Sequence, residues 1–350
     1  MNEQTSEKRP PRRWVRIALV AIVALLVIGT GMVLVPRDSG APAAVSFTEA
    51  ARSSAFNDAL ALRDSASSLA ASPSSGVGAG TWTGSVTLLT THARALLSPV
   101  VSGPSSPVSS SARAAEPTAP SFIADLAASG RKRLEDAKQA DAGIARLLAA
   151  VGTAQVLDAE RLASLLKLPL PTAGPETKAT ASAQARTPCP SVSPTPEPTA
   201  ATTDAALAAA VRSEHQAVYV HQVALKRLDA TAAVTAAKAL TTHERLLEQA
   251  ESLIRLTCGD VPNREAGYSL STQFAGDPAA ALGTLEIESL PVFGDLVALS
   301  TGPTREWAVE SLLAAARRGA AWGSAQPPLP GLKLDDGDLP QLPTPASTPG

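Results

Sequence analysis

The segment from Ile17 to Val35 constrains this chain more than any other, because none of its 19 residues carries a charge. An α-helix of that length covers about 28 Å, which is close to the ~30 Å hydrocarbon core of a bilayer. Basic residues stand just before it, namely Lys8, Arg9, Arg12, Arg13 and Arg16. This charge asymmetry predicts a cytoplasmic tail at 1–16, a transmembrane helix at 17–35 and extracytoplasmic domains after it.

A cleaved signal peptide is the competing interpretation of the same segment, with Ala41-Pro42-Ala43 as a small-residue cleavage site. Its apolar run exceeds the roughly 7–15 residues typical of signal peptides, which favours a retained anchor. Under both interpretations the residues that follow lie outside the cytoplasm.

The composition predicts an all-α protein. Hydrophobic residues make up 45% of the chain and aromatic residues only 3%, with alanine the main contributor. Alanine favours helix, and the β-branched and aromatic runs that indicate strands are scarce. The net charge of −2 provides no basic surplus to neutralise phosphates, so nucleic acid is not an expected partner.

Proline-rich stretches divide the chain after the anchor. Residues 46–170 have helical composition interrupted by Ser/Gly/Pro loops, and Ser46 with Glu49 predicts a capping box at the first helix. Residues 171–203 are expected to form an extended linker, and residues 324–350 a disordered Pro-rich tail. This layout predicts a membrane-proximal helical region that holds a C-terminal domain away from the bilayer.

Residues 204–323 have the spacing of four helices, at about 204–228, 231–258, 277–299 and 303–322. The first helix carries one inward stripe at steps of three and four residues, formed by Leu207, Val211, Glu214, Val218, His221, Leu225 and Leu228. Short connections make the first and last pairs antiparallel hairpins, and a long connection between them allows a crossover. This arrangement predicts a ferritin-like four-helix bundle.

The helix ends in this bundle carry recognisable signals. Thr203 or Asp204 is the expected N-cap of the first helix, and Gly259 is the expected left-handed residue after the second. Asp277-Pro278 is a typical start for the third helix. Pro291 is expected to kink or split that helix.

Three short motifs in the bundle resemble one family. They are Glu214-His215-Gln216-Ala217-Val218-Tyr219, His243-Glu244-Arg245 and Arg305-Glu306-Trp307-Ala308. Together they are similar to the ferritin-like domain of unknown function of actinobacterial envelope proteins. The resemblance covers residues 204–323 and implies a fold and an envelope location, but no activity.

The candidate metal ligands do not complete a dinuclear centre. Ferritin-like carboxylate sites take a Glu from each of two helices and a Glu-x-x-His motif from each of the other two. Here Leu240 stands three residues before His243, and the last helix has no histidine. The favoured interpretation is a buried polar network in which a histidine or arginine pairs the carboxylates. One alternative is a single divalent ion held by Glu214, His221 and His243. More broadly, the candidate residues of a degenerate metal site are Glu214, His221, His243, Glu244 and Glu286.

The two cysteines, Cys189 and Cys258, lack the C-x-x-C spacing of zinc or redox sites. Thiols outside the cytoplasm tend to oxidise, and antiparallel first and second helices bring the end of the second near the linker. We therefore predict a Cys189–Cys258 disulfide, worth roughly 4 kcal/mol if unstrained.

The sequence as a whole predicts a single-pass envelope protein that acts as a non-catalytic binding or scaffolding module. Its expected partners are the membrane, through residues 17–35, and another envelope protein, and no cofactor is expected. A metal-binding or metal-oxidising bundle is the alternative function. Arg317-Arg318 is expected on a solvated helix face, and His92 has no assigned role.

Overall fold

The computed structural model describes residues 45–72, 78–98, 116–169, 201–334 and 336–343. The predicted cytoplasmic tail, transmembrane helix and cleavage site lie outside these ranges, as do Cys189 and nearly all of the predicted linker. Within them every regular element is helical, so the all-α prediction is confirmed for the described residues. The described helices all belong to one compact unit that begins at Ser46.

The first four helices form an N-terminal bundle of two hairpins. They are α1 (Phe47–Ala71), α2 (Ala79–Leu96), α3 (Ala119–Gln139) and α4 (Ala142–Leu165). Ser46 caps α1 by accepting a hydrogen bond from the backbone N–H of Glu49. The reciprocal half of the predicted capping box is absent, because the Glu49 carboxylate pairs with Arg52 instead.

The remaining helices form the C-terminal bundle. They are α5 (Thr203–Ala224), α6 (Ala230–Leu256), the short α7 (Thr272–Gly276), α8 (Pro278–Leu299) and α9 (Gly302–Ala321). Helices α5 and α6 pack as one hairpin, α8 and α9 as another, and α5 packs on α8. This is the predicted arrangement of two hairpins joined by a long connection, with α7 as an added turn inside that connection.

The helix ends agree with the sequence signals in part. The Asp277 side chain caps α8 ahead of Pro278, as predicted. The N-cap of α5 is Thr202, one residue before the expected position. The residue with a left-handed backbone after α6 is Cys258, with φ of 59°, and not Gly259 as predicted. Pro291 lies inside α8, which runs through it as one helix.

Helix α4 lies at the centre of the unit. Every residue from 147 to 159 is buried, which is the mark of a helix covered on all sides. Among the described residues α4 is also the one helix long and apolar enough to cross a membrane. Its burial inside the protein assigns it instead to the core.

The two bundles share one core, so the region 46–170 and the C-terminal bundle pack together although a linker separates them in the sequence. Leu148 and Val151 of α4 belong to the same buried cluster as Phe293 of α8 and Leu312 of α9. Ion pairs join the bundles beside this core, with Arg146 on Asp295 and Arg317 on Glu160.

The prediction of a disordered tail is wrong for residues 324–334 and 336–343. Leu329 and Leu339 are only 4% and 8% exposed, so both leucines are buried. Arg146 donates two hydrogen bonds to the carbonyl oxygen of Gly331, at 2.9 and 2.6 Å. The tail is ordered because its apolar side chains and backbone carbonyls find partners on the helices, which its proline content does not reveal.

Candidate functional site

Three buried side chains and the partly buried Arg318 meet inside the C-terminal bundle, one from each long helix. His243 of α6 stands at their centre, with its Nδ1 2.7 Å from Oε2 of Glu214 on α5 and its Nε2 3.0 Å from Oε1 of Glu286 on α8. Arg318 of α9 donates its Nε–H to the same Glu286 oxygen at 2.8 Å. Two carboxylates and two cationic side chains therefore form a closed network, which we call the buried ion network.

His221 of α5 lies against this network without joining its ion pairs. Its ring is 4.7 Å from that of His243, centroid to centroid. Its Nδ1–H donates to the carbonyl oxygen of Ala217 one turn earlier, at 2.9 Å. Its Nε2, the Oε2 of Glu286 and both terminal nitrogens of Arg318 are buried without a hydrogen-bond partner among the described residues.

The environment sets opposite protonation states for the two histidines. Burial disfavours the charge on His243, but hydrogen bonds to Glu214 and Glu286 outweigh it and raise the His243 pKa to about 9. Burial together with the nearby His243 charge lowers the pKa of His221 to about 4. Near neutral pH, His243 is therefore an imidazolium and His221 a neutral imidazole.

Glu286 is held as a carboxylate by its two cationic neighbours. Burial alone would raise its pKa. The hydrogen bond and charge of His243, followed by those of Arg318, overcome this effect and lower the Glu286 pKa to about 2. The carboxylate is thus already neutralised by side chains of the protein itself.

The structure brings four of the five candidate metal ligands together. Ligand atoms of His221, His243 and Glu286 lie within 4.8 Å of one another, and Glu214 contacts His243. Glu244 is exposed and takes no part, because it follows His243 directly and therefore lies on the outer side of α6.

The donor set does not fit the dinuclear centre of ferritin-like proteins. That centre uses four carboxylates and two histidines, whereas the buried ion network contains two carboxylates, and a guanidinium occupies one of them. A single ion would need His243 to give up one of its two hydrogen bonds, because a metal-bound ring nitrogen carries no proton. In the observed arrangement, His243 and Arg318 pair the charges of Glu214 and Glu286.

Arg318 is the residue of this site that sequence reasoning missed. The prediction of a solvated face is right for Arg317, whose side chain is 43% exposed, and wrong for Arg318, at 15%. A signal was available, because Arg318 follows the small buried residues Ser311 and Ala315 at helical spacing. This signal was overlooked because arginine side chains are usually exposed.

The predicted disulfide stays a prediction, because Cys189 lies outside the described residues. Cys258, its expected partner, is exposed just after the end of α6. The side chain therefore stands at the bundle surface, where a linker residue has access to it.

One comparison with known proteins, against protein families, found a match in the C-terminal bundle. Residues 206–334 match the family described as a domain of unknown function (DUF4439), which is a ferritin-like domain. The match covers about a third of the chain and includes α5 to α9. Neither a curated protein nor a solved structure matches the chain. The ferritin-like assignment of the C-terminal bundle is therefore confirmed at the level of the domain.

Proposed function

We propose that this chain is a membrane-anchored envelope protein of the actinobacterial type whose ferritin-like bundle is a non-catalytic binding or scaffolding module. The observation that carries the non-catalytic part is the buried ion network. Both ring nitrogens of His243 are hydrogen-bonded to carboxylates, and Arg318 donates to one of them, so each carboxylate has a cationic partner within the protein. A buried polar network of this kind fixes the register of alanine-rich helices, whose small side chains specify little by themselves.

The binding role is supported by a cleft between the two bundles. It has a volume of about 790 Å³ and lies between α4, α9 and the start of the tail. Leu157 and Ala320 contribute to its apolar wall, and the Arg317–Glu160 ion pair lines it as well. Apolar walls with a few polar groups are typical of binding sites of this size.

The envelope location is supported by the uncharged segment 17–35 and the basic residues before it. A C-terminally tagged full chain is expected to remain in the membrane pellet after carbonate extraction. In a separate experiment, protease added to intact spheroplasts should remove the tag. Release of the chain into the medium would instead indicate a cleaved signal peptide, and protection of the tag would show the opposite orientation.

A metal-binding bundle is the second candidate function, and one observation favours it. His221, His243 and Glu286 place three potential ligand atoms within 4.8 Å of one another, and all three residues are buried. Two histidines and a carboxylate form a donor set that binds several divalent transition metals. The two functions make opposite predictions about metal content.

For the purified full chain, loaded with Zn²⁺ or Fe²⁺ and passed over a desalting column, we expect well below one equivalent of metal by elemental analysis. The reason is that Arg318 and the proton on His243 already neutralise the carboxylates. Addition of a chelator should leave the melting temperature unchanged.

The informative variant is His221→Ala, because His221 can serve as a metal ligand but makes no ion pair. Glu244→Ala is its matched control, since Glu244 is exposed. One equivalent of metal in the unmodified chain that is lost in His221→Ala and kept in Glu244→Ala would replace our proposal with the metal-binding function.

A further inference from the structure

Four buried polar atoms beside the buried ion network have no hydrogen-bond partner among the described residues. They are Oε2 of Glu286, Nε2 of His221 and the terminal nitrogens Nη1 and Nη2 of Arg318. We call these four atoms the unpaired cluster. Buried polar atoms are paired in the great majority of cases, because an unpaired one loses its hydration without compensation. The cluster therefore needs a partner other than the side chains around it.

The three side chains of the unpaired cluster lie close to one another. Nε of Arg318 is 2.8 Å from Oε1 of Glu286, so the rest of the guanidinium stands next to the same carboxylate. Potential ligand atoms of His221 and Glu286 lie within 4.8 Å of each other, and in the described part of the chain no hydrogen bond joins these two side chains. A water molecule with two tetrahedral hydrogen bonds of about 2.8 Å holds its partners about 4.6 Å apart. One water molecule is therefore of the right size to bridge them.

The unpaired cluster consists of two hydrogen-bond acceptors and two donors. The ring of His221 donates from Nδ1 to the carbonyl oxygen of Ala217, which can only accept, so the neutral ring has its lone pair on Nε2. Oε2 of Glu286 belongs to a carboxylate and accepts as well. The terminal nitrogens of Arg318 can only donate. A molecule that pairs all four atoms must therefore both donate and accept hydrogen bonds.

The charges around the unpaired cluster disfavour ions of either sign. Arg318 and the imidazolium of His243, which both contact Glu286, would repel a cation placed beside that carboxylate. The carboxylate of Glu286 and the lone pair of His221 would repel an anion. A neutral molecule meets neither penalty. Water is the smallest neutral molecule that donates two hydrogen bonds and accepts two, and it commonly pairs buried polar groups in proteins.

We propose that the unpaired cluster binds one ordered water molecule as a part of the fold. The water donates to Oε2 of Glu286 and to Nε2 of His221, and it accepts from the terminal N–H groups of Arg318. It joins α5 to α8 and α9 and brings His221 into the hydrogen bonding of the buried ion network. The inference goes beyond the proposed function, because it assigns an occupant to the position where the alternative function would place a metal ion.

A crystal structure of the unmodified full chain, at a resolution that shows ordered waters, tests the occupant directly. Soaks with Zn²⁺ and with bromide, each followed by anomalous diffraction at the absorption edge of the added element, separate water from an ion. We expect one oxygen-sized peak about 2.6–3.2 Å from Oε2 of Glu286, Nε2 of His221 and a terminal nitrogen of Arg318, without anomalous signal. A bromine signal there, or the four atoms paired with protein groups and no peak, would overturn this inference alone. A zinc signal would overturn both the inference and the non-catalytic scaffold.

A second measurement compares His221→Gln with His221→Leu in the full chain. The two new side chains are similar in size, and only glutamine can accept a hydrogen bond from the water. Both changes remove the hydrogen bond from Nδ1 to Ala217. We expect the melting temperature of His221→Gln to lie about 2–4 °C above that of His221→Leu, which is the shift that one hydrogen bond gives in a chain of a few hundred residues. Without the water the buried glutamine amide would lack a partner, so a His221→Leu chain that melts at the same temperature or higher would overturn the proposal.

Discussion

Replacing His243 with alanine is expected to lower the free energy of unfolding by about 3–5 kcal/mol, as when one member of a buried ion pair is removed. The imidazolium pairs two carboxylates that are each no more than 1% exposed. Without it Glu214 loses its hydrogen-bond partner in the network, while Glu286 keeps Arg318. Urea unfolding followed by circular dichroism measures the loss.

The same residue should give the protein a characteristic pH dependence. The folded-state pKa of His243 is raised from 6.5 to about 9, so its stabilisation is complete below pH 6.5 and is lost as the pH rises through 9. The Glu286 pKa is lowered from 4.5 to about 2, so its stabilisation is present above pH 4.5 and is lost as the pH falls through 2. The network therefore stabilises most between pH 4.5 and 6.5, and the decline from pH 6.5 to 9 should be absent in His243→Ala.

Two further variants separate charge from packing. His243→Gln fills most of the space without a charge, so it should recover the part of the loss that comes from the cavity. Glu214→Gln combined with His243→Ala should cost less than the sum of the two changes, with a coupling of roughly 0.5–3 kcal/mol. A loss below about 1 kcal/mol for His243→Ala, within the range of ordinary substitutions, would contradict the buried ion network as a stabilising element.

The sequence predicted the C-terminal bundle better than the site within it. Helix positions follow from local signals, namely apolar stripes and caps such as Asp277-Pro278, and these do not depend on distant contacts. The same stripes placed Glu214, His243 and Glu286 inside. Arg318 was missed because its burial depends on how closely α8 and α9 cross, and Gly319 beside it makes that approach possible. A Cβ at Gly319 would lie 2.9 Å from Cδ1 of Ile287.

The docking of the two bundles could not be predicted in the same way. An alanine-rich face is compatible with many partners, so the periodicity of α4 shows that it is buried without showing what covers it. The C-terminal tail presents the same difficulty, since the contact of His92 with Pro328 joins residues 236 positions apart. Proline content predicted disorder because it reports on local backbone preference, whereas the order of the tail comes from tertiary contacts.

Gly130 of α3 and Gly152 of α4 pack closely against each other in the N-terminal bundle. A Cβ added to Gly152 would lie 2.7 Å from the carbonyl oxygen of Gly130 and 2.9 Å from Cγ of Leu134. A Cβ added to Gly130 would lie 2.9 Å from the carbonyl oxygen of Gly152. The contact is therefore reciprocal and involves backbone on both sides, which cannot move aside as a flexible side chain can.

Gly152→Ala is accordingly expected to destabilise the protein by about 3 kcal/mol, at the upper end of the usual cost of overpacking. The helix propensity of alanine favours the change by about 1 kcal/mol, and we expect the steric overlap to outweigh that gain because α3 and α4 must separate. Gly143→Ala is the matched control, since Gly143 lies in the exposed first turn of the same helix with nothing within 4 Å of its Cβ position. At Gly143 only the helix propensity changes and no steric overlap arises, so Gly143→Ala should be more stable than the unmodified chain. Urea unfolding that shows both variants stabilised would mean that α3 and α4 do not cross at the Gly130–Gly152 contact.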